Sequence, residues 1–187
     1  MLSIDISLLE HEDLIGFFDE NIQDFSNFEV KIDFLSDYAQ SKMIRDAILY
    51  LFEMNHINVP WKNRFALISD ELVNNSIEYG SMPLDVNTIC IKFVPTPKGI
   101  SVSVEVSDTG RGAEAKTSDE MEQIRKLKEL RGFDSYLGKR GRGLFQLINN
   151  LVDELYFRDG DNGGLTVGIR KELEYVSATV EEKPVQL

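Results

Sequence analysis

The sequence predicts a two-layer α/β (α+β) sandwich, with a mixed, mostly antiparallel sheet and helices on one face. Three observations carry this expectation. Phe28 to Phe34 alternates Phe-Glu-Val-Lys-Ile-Asp-Phe, the period-2 pattern of a half-buried strand. Two amphipathic helices come directly after it. Beyond them lie two pairs of short apolar runs, each pair joined by turn residues.

The elements can be justified in order. Residues 8–25 place Leu8, Leu9, Leu14, Ile15, Phe17, Phe18, Ile22 and Phe25 at helical spacing. Ser36 is positioned to cap a helix whose Ile44, Ala47, Ile48, Leu51 and Phe52 share one face. Pro60 opens a further helix that runs to about Tyr79, with Gly80 as its stop. Strands are expected near 86–94 and 100–107, turned by Pro95, Pro97 and Gly99. A polar helix is expected near 118–131 and an apolar one from Gly141 to about Leu151. The last strands fall near 153–158 and 164–171, around the cluster Asp159-Gly160-Asp161-Asn162-Gly163-Gly164. The tail beyond Leu173 reads as loosely ordered.

Composition narrows the function classes. The chain has 187 residues, enough for one domain with a sizeable core. No apolar run approaches the ~18 residues of a membrane span. The start, Met-Leu-Ser-Ile-Asp-Ile-Ser, has neither a basic segment nor a cleavable apolar core, so no signal peptide is expected. Cys90 is the single cysteine and sits in an apolar run, which predicts buried filler and no internal disulfide. These features predict a cytoplasmic protein. The net charge of −12 argues against direct nucleic-acid binding. Residues 125–142 run the other way, with seven basic residues against two acidic ones. That stretch is either a solvated helix face or a local anion-binding field.

Three motifs carry candidate chemistry. The first is Asp70-Glu71-Leu72-Val73-Asn74-Asn75-Ser76-Ile77-Glu78-Tyr79-Gly80. Glu71 and Asn75 are four apart and share a helix face. A carboxamide oxygen suits Mg²⁺, and a carboxylate can accept a proton or position a hydroxyl; a solvated polar stripe would look the same. The second is Val104 to Gly112, an apolar strand that ends in Asp108-Thr109-Gly110-Arg111-Gly112. A carboxylate at a strand end could accept the amino hydrogen of an adenine, and a tight turn also favours Asp and Gly. The third is Gly138-Lys139-Arg140-Gly141-Arg142-Gly143-Leu144 leading into an apolar helix. Free N–H groups and a positive helix end make a phosphate cradle, although a hinge loop is glycine-rich too.

The order of these motifs is informative. Asn75 and Asp108 are 33 positions apart, as are Asp108 and Gly141, and Thr166 comes after Gly164 in the final strand. In this the chain resembles the GHKL ATPase superfamily, whose members include gyrase-type, heat-shock chaperone, mismatch-repair and histidine-kinase ATP-binding domains. Its N box looks like Glu71 to Gly80. The glycine boxes Asp-x-Gly-x-Gly and Gly-x-Gly-Leu look like Asp108, Gly110, Gly112 and Gly141, Gly143, Leu144, and the closing Gly-x-Thr like Gly164 and Thr166. Within the superfamily the chain is most similar to the bacterial anti-sigma factor serine/threonine kinases.

That resemblance implies a Bergerat ATP-binding fold over residues 28–172, with a lid at 113–140; residues 1–27 precede the family core without a counterpart and read as a helical N-terminal extension, and 173–187 as a C-terminal tail. It implies Glu71 as catalytic base and Asn75 as Mg²⁺ ligand. It implies Asp108 as adenine reader helped by Thr166, with Asn74, Gly110, Gly112, Lys139, Arg140, Gly141, Arg142, Gly143 and Leu144 around ATP. Arg45 would engage partners: a sigma factor and a STAS-type anti-sigma antagonist whose serine or threonine receives the phosphate. A homodimer is implied as well. Two other readings share the boxes. One is an ATP-gated binding module without transfer. The other is a histidine-kinase-like catalytic domain acting on a separate protein, since His11 and His56 lie outside any two-helix phosphoacceptor hairpin.

Overall fold

The computed structural model describes residues 1–131, 148, 151–160 and 163–174. Six strands form one sheet in the order β1-β2-β3-β4-β6-β5. The strands are β1 (Leu2–Asp5), β2 (Phe28–Leu35), β3 (Val86–Thr96), β4 (Gly99–Ser107), β5 (Glu154–Asp159) and β6 (Leu165–Glu174). Among the described strands only the β1–β2 pair is parallel. The helices are α1 (His11–Asn21), α2 (Tyr38–Met54), α3 (Val59–Asn75) and α4 (Ser118–Arg131). The result is the mixed sandwich with a helix layer that the sequence predicts.

The alternation in each strand separates the two faces of the sheet. One rung of paired residues crosses all six strands as Leu2, Val30, Ile91, Val104, Ile169 and Leu155. A second runs Ile4, Ile32, Ile89, Val106, Val167 and Phe157. Cross-strand neighbours on one face are what hold a sheet in register, because a slip of one residue would turn every apolar side chain outward. The opposite face carries the polar rungs Lys31, Cys90, Glu105, Gly168, Tyr156 and Asp33, Thr88, Ser107, Thr166, Arg158. Here the Tyr156 hydroxyl donates to Glu105 at 2.5 Å and Thr88 donates to Asp33 at 2.6 Å.

Helices α2 and α3 cover the apolar face. Ile44, Ala47, Ile48, Leu51 and Phe52 of α2 are buried, as are Phe65, Ala66, Ile68, Leu72 and Val73 of α3. Phe52 joins the layers, with its ring 4.8 Å from Phe65 on the helix side and 5.2 Å from Phe93 on the sheet. Helix α3 begins where Asn58 accepts the Trp61 N–H, with Pro60 in the first turn. Helix α4 opens on a reciprocal box. Thr117 accepts from the Glu120 N–H while Glu120 accepts from the Thr117 N–H, and Asp159 at the end of β5 takes both the N–H and the hydroxyl of Ser118. No helix among the described residues is long and apolar enough to cross a membrane.

Several expectations are corrected. Residues 1–27 are not simply helical: β1 joins the sheet before α1, which is shorter than the 8–25 pattern. Asp37, not Ser36, caps α2 by accepting the Ala39 N–H, and the Ser36 hydroxyl is buried with no partner among the described residues. The third helix does not stay α to Tyr79. It ends at Asn75 and continues as a single π-helical turn, Ser76–Gly80. Cys90 is not core filler. It is half-buried on the polar face, its sulfur 3.6 Å from Glu29, and desolvation with the carboxylates of Glu29 and Glu105 pushes its thiol up to about 12. Most of the apolar helix expected from Gly141, residues 161 and 162 of the second turn cluster and the tail beyond 174 lie outside the described residues.

Helix α1 is part of the core. Leu14, Phe18 and Ile22 are buried, and Phe18 stacks on Tyr50 of α2 at 6.3 Å. Phe18→Ala is expected to lower unfolding stability by about 3–5 kcal/mol, the usual cost of emptying a packed aromatic site. Urea denaturation should show an earlier midpoint with an unchanged slope.

Candidate nucleotide site

The site gathers where α3 ends above the ends of β4 and β6. Glu71 and Asn75 lie on one face of α3, both half-buried, and the Asn75 amide nitrogen donates to Glu71 Oε1 at 3.4 Å. No basic side chain pairs with Glu71 among the described residues. Asn74 turns to α2, where Ser41 donates to its side-chain oxygen at 3.1 Å. No group of three or more His, Cys, Asp or Glu able to hold a metal is present among the described residues. A hard cation held through Asn75 would thus share its coordination with phosphate oxygens and water, which suits Mg²⁺.

Asp108 stands one residue past β4. Its backbone N–H donates to the Leu165 carbonyl at 3.0 Å, and its Oδ1 accepts the N–H groups of Gly110 and Leu165, both at 2.9 Å. These bonds orient the carboxylate toward the end of the helix layer. Its other oxygen faces Gly80, where an added Cβ would run into the carboxylate. Gly110 has φ +68, a left-handed turn, and packs against the Gly163 carbonyl. The Gly112 N–H donates to the Gly80 carbonyl at 3.1 Å. The first glycine box is therefore laid backbone to backbone on the end of the helical motif. An apposition this close leaves no room for side chains between them.

The structure brings Glu71, Asn75, Asp108, Gly110 and Gly112 to one end of the molecule. It does not bring Thr166 onto Asp108. Leu165 is the residue that exchanges bonds with Asp108, and the Thr166 hydroxyl instead meets Ser107 at 2.7 Å on the polar face. Arg45 is tied by an ion pair to Asp70, a buried carboxylate one residue before Glu71, and that bond raises its already high pKa. This bond pairs the buried Asp70 carboxylate between α2 and α3, with the Arg45 side chain half exposed. Lys139, Arg140, Gly141, Arg142, Gly143 and Leu144 lie outside the described residues.

Sequence reasoning missed a group of small polar side chains beside these. Ser81, Asp85, Asn87 and Thr109 bond to one another across as many as 28 positions of chain. Asp85 accepts from the Thr109 hydroxyl at 2.7 Å, the Met82 N–H at 3.0 Å and Arg111 at 3.2 Å. The Thr109 bond is the main reason its carboxyl titrates below the usual range. Met82-Pro83-Leu84-Asp85 is legible as a turn, but nothing local says what Asp85 will meet.

A family model described as the histidine kinase-like ATPase domain matches residues 34–171. No curated protein matches the chain closely enough to count as a relative. The match begins at the end of β2, spans β3 to β5 and reaches into β6, and both Glu71–Asn75 and Asp108–Gly112 fall within it. Gly80→Ala is expected to displace the Asp108 carboxylate and reduce nucleotide binding at least tenfold, a loss of about 1.4 kcal/mol or more. Calorimetric titration of the variant, with circular dichroism to establish that it is folded, checks this.

Proposed function

Because the chain belongs to the histidine kinase-like ATPase domain family, we propose that it is a Mg-ATP-dependent serine/threonine protein kinase that acts as an anti-sigma regulatory factor. Its protein substrate on this reading is a STAS-type anti-sigma antagonist, and a sigma factor is its alternate partner. The observation that carries the reading is the Glu71–Asn75 pair: a carboxylate hydrogen-bonded to a metal-suited carboxamide on the helix that borders the Asp108 loop.

Each residue has a role on this reading. Asp108 would read adenine, because a carboxylate accepts from the adenine amino group and repels the guanine carbonyl at the same place. Asp108→Ala is then a loss of about 10- to 150-fold in ATP affinity. Asn75 would hold the Mg²⁺ ion, which offsets phosphate charge when bound. Glu71 would orient or deprotonate the incoming hydroxyl. In phosphoryl transfer most of the protein's contribution is positioning and charge stabilisation, so a single well-placed carboxylate is sufficient as base.

Glu71→Ala is expected to leave ATP affinity within a few fold and to cut transfer by about 10²–10⁴. The assay is transfer from labelled ATP to candidate antagonist proteins from the same cell. Wild-type protein that binds antagonist and Mg-ATP yet transfers nothing would make the chain an ATP-gated binding module. Asn75→Ala should impair binding of Mg-ATP far more than of metal-free ATP, measured by paired titrations with Mg²⁺ and with chelator. Equal losses in the two would make Asn75 a structural residue.

A further inference from the structure

A directional chain of hydrogen bonds runs from the Asp108 loop into α3. The Thr109 N–H donates to Ser81 Oγ at 3.1 Å, and the Ser81 hydroxyl donates to Asn87 Oδ1 at 2.5 Å. The Asn87 amide donates to Ser76 Oγ at 3.3 Å, and the Ser76 hydroxyl donates to the Val73 carbonyl at 2.8 Å. Val73 lies between Glu71 and Asn75 in the same helix. Ser76, Ser81 and Asn87 are all buried, so each of these bonds replaces water that cannot reach them.

Asp85 anchors the start of this chain. Its carboxylate holds the Thr109 hydroxyl, and its side chain is only 9% exposed although charged. Its backbone is held as well: the Ser36 N–H donates to its carbonyl at 2.7 Å, and its own N–H closes a turn on Met82 at 3.0 Å. That turn has Pro83 at its second position and Leu84 at its third, with φ +67. A leucine with that backbone is strained and persists only where its surroundings over-determine it. The bonds around Asp85 supply that determination.

We propose that Thr109 and Asp85 are positioning residues of the nucleotide site, holding the Asp108 loop in register with the α3 segment that carries Glu71 and Asn75. This rests on the nucleotide-site reading above. A nucleotide that spans Asp108 and Asn75 needs both ends at a set separation. A loop free to shift by an ångström would satisfy one end at the expense of the other.

The test compares the full chain with Thr109→Val, Thr109→Ser, Asp85→Asn and Asp108→Ala, by calorimetry with Mg-ATP and by thermal melting without nucleotide. Thr109→Val keeps the side chain's shape and removes the hydroxyl that Asp85 accepts. It is expected to lose about tenfold in Mg-ATP affinity at a nearly unchanged melting midpoint. Thr109→Ser, which restores the donor, should return to within about threefold of wild type, and Asp85→Asn should weaken binding in the same direction as Thr109→Val. Mg-ATP affinity of Thr109→Val within about twofold of wild type, with Asp108→Ala impaired, overturns the positioning role and leaves the site reading standing. A loss that Thr109→Ser does not relieve, or that tracks a fall in the melting midpoint, makes the network purely structural and overturns the proposal as well. A wild-type chain that binds no Mg-ATP, or an Asp108→Ala variant that binds it normally, removes the site reading and this proposal with it.

Discussion

One apolar sheet face seeks cover, and the rest of the structure depends on how it is covered. Two apolar rungs cross all six strands, and the polar rungs lie on the opposite face. Amphipathic helices suit that role because their backbone groups are already paired, whereas loops there would leave backbone groups without partners. Helices α2 and α3 supply that cover through Phe52 and Phe65, with Phe93 meeting them from β3. Once α3 lies on the sheet, its last residues must arrive over the strand ends where Asp108 and Leu165 stand. The site is thus a consequence of the packing, formed where the apolar layer runs out.

At that boundary the physics changes from burial to polar satisfaction. The π-helical turn Ser76–Gly80 carries the backbone off α3 so that Gly80 faces Asp108 and its carbonyl receives Gly112. Turns of this kind insert an extra residue into a helix and are common where a helix must present groups to a ligand. The buried hydroxyls and carboxamide beyond it are each used once as donor and in sequence, from Thr109 to Val73. Such a chain is stable only when every member is paired, which makes it a rigid connection. The polar face of the sheet lacks that closure. Its ion pairs, such as Arg158 with Glu105 and Arg170 with Glu154, are solvent-exposed and contribute little each.

Helix α4 shows how the region after the first glycine box is tethered. Its first turn is capped internally by Thr117 and Glu120 and externally by Asp159 from β5. A negative side chain at a helix start is favoured by the N–H groups exposed there. The segment expected to act as a lid is therefore hydrogen-bonded to the sheet at Ser118.

The periodicity of residues was enough to read β2, β3, β4, α2 and α4, because burial on one face repeats at 2.0 or 3.6 residues whatever the rest of the chain does. The spacing of Glu71 and Asn75, and of Asp108 with its glycines, was legible for the same local reason: backbone geometry alone puts four-apart residues on one helix face. Strand β1 was missed because four residues paired in parallel to a distant partner leave almost no periodic signal. The cap at Asp37 and the π-helical turn at Ser76 were missed because neighbouring residues offer the same chemistry and tertiary packing chooses between them. Thr166 fits a motif in the chain, yet strand register turned its hydroxyl to Ser107 and gave the bonds with Asp108 to Leu165. Cys90 sits among apolar neighbours in sequence and faces carboxylates in space, since alternate residues of a strand point to opposite faces. Sequence alone determined which residues could serve a nucleotide site and which faces would be buried. Only the tertiary structure decided which polar groups meet there, because Ser81, Asp85, Asn87 and Thr109 find one another through chain closure that no local pattern encodes.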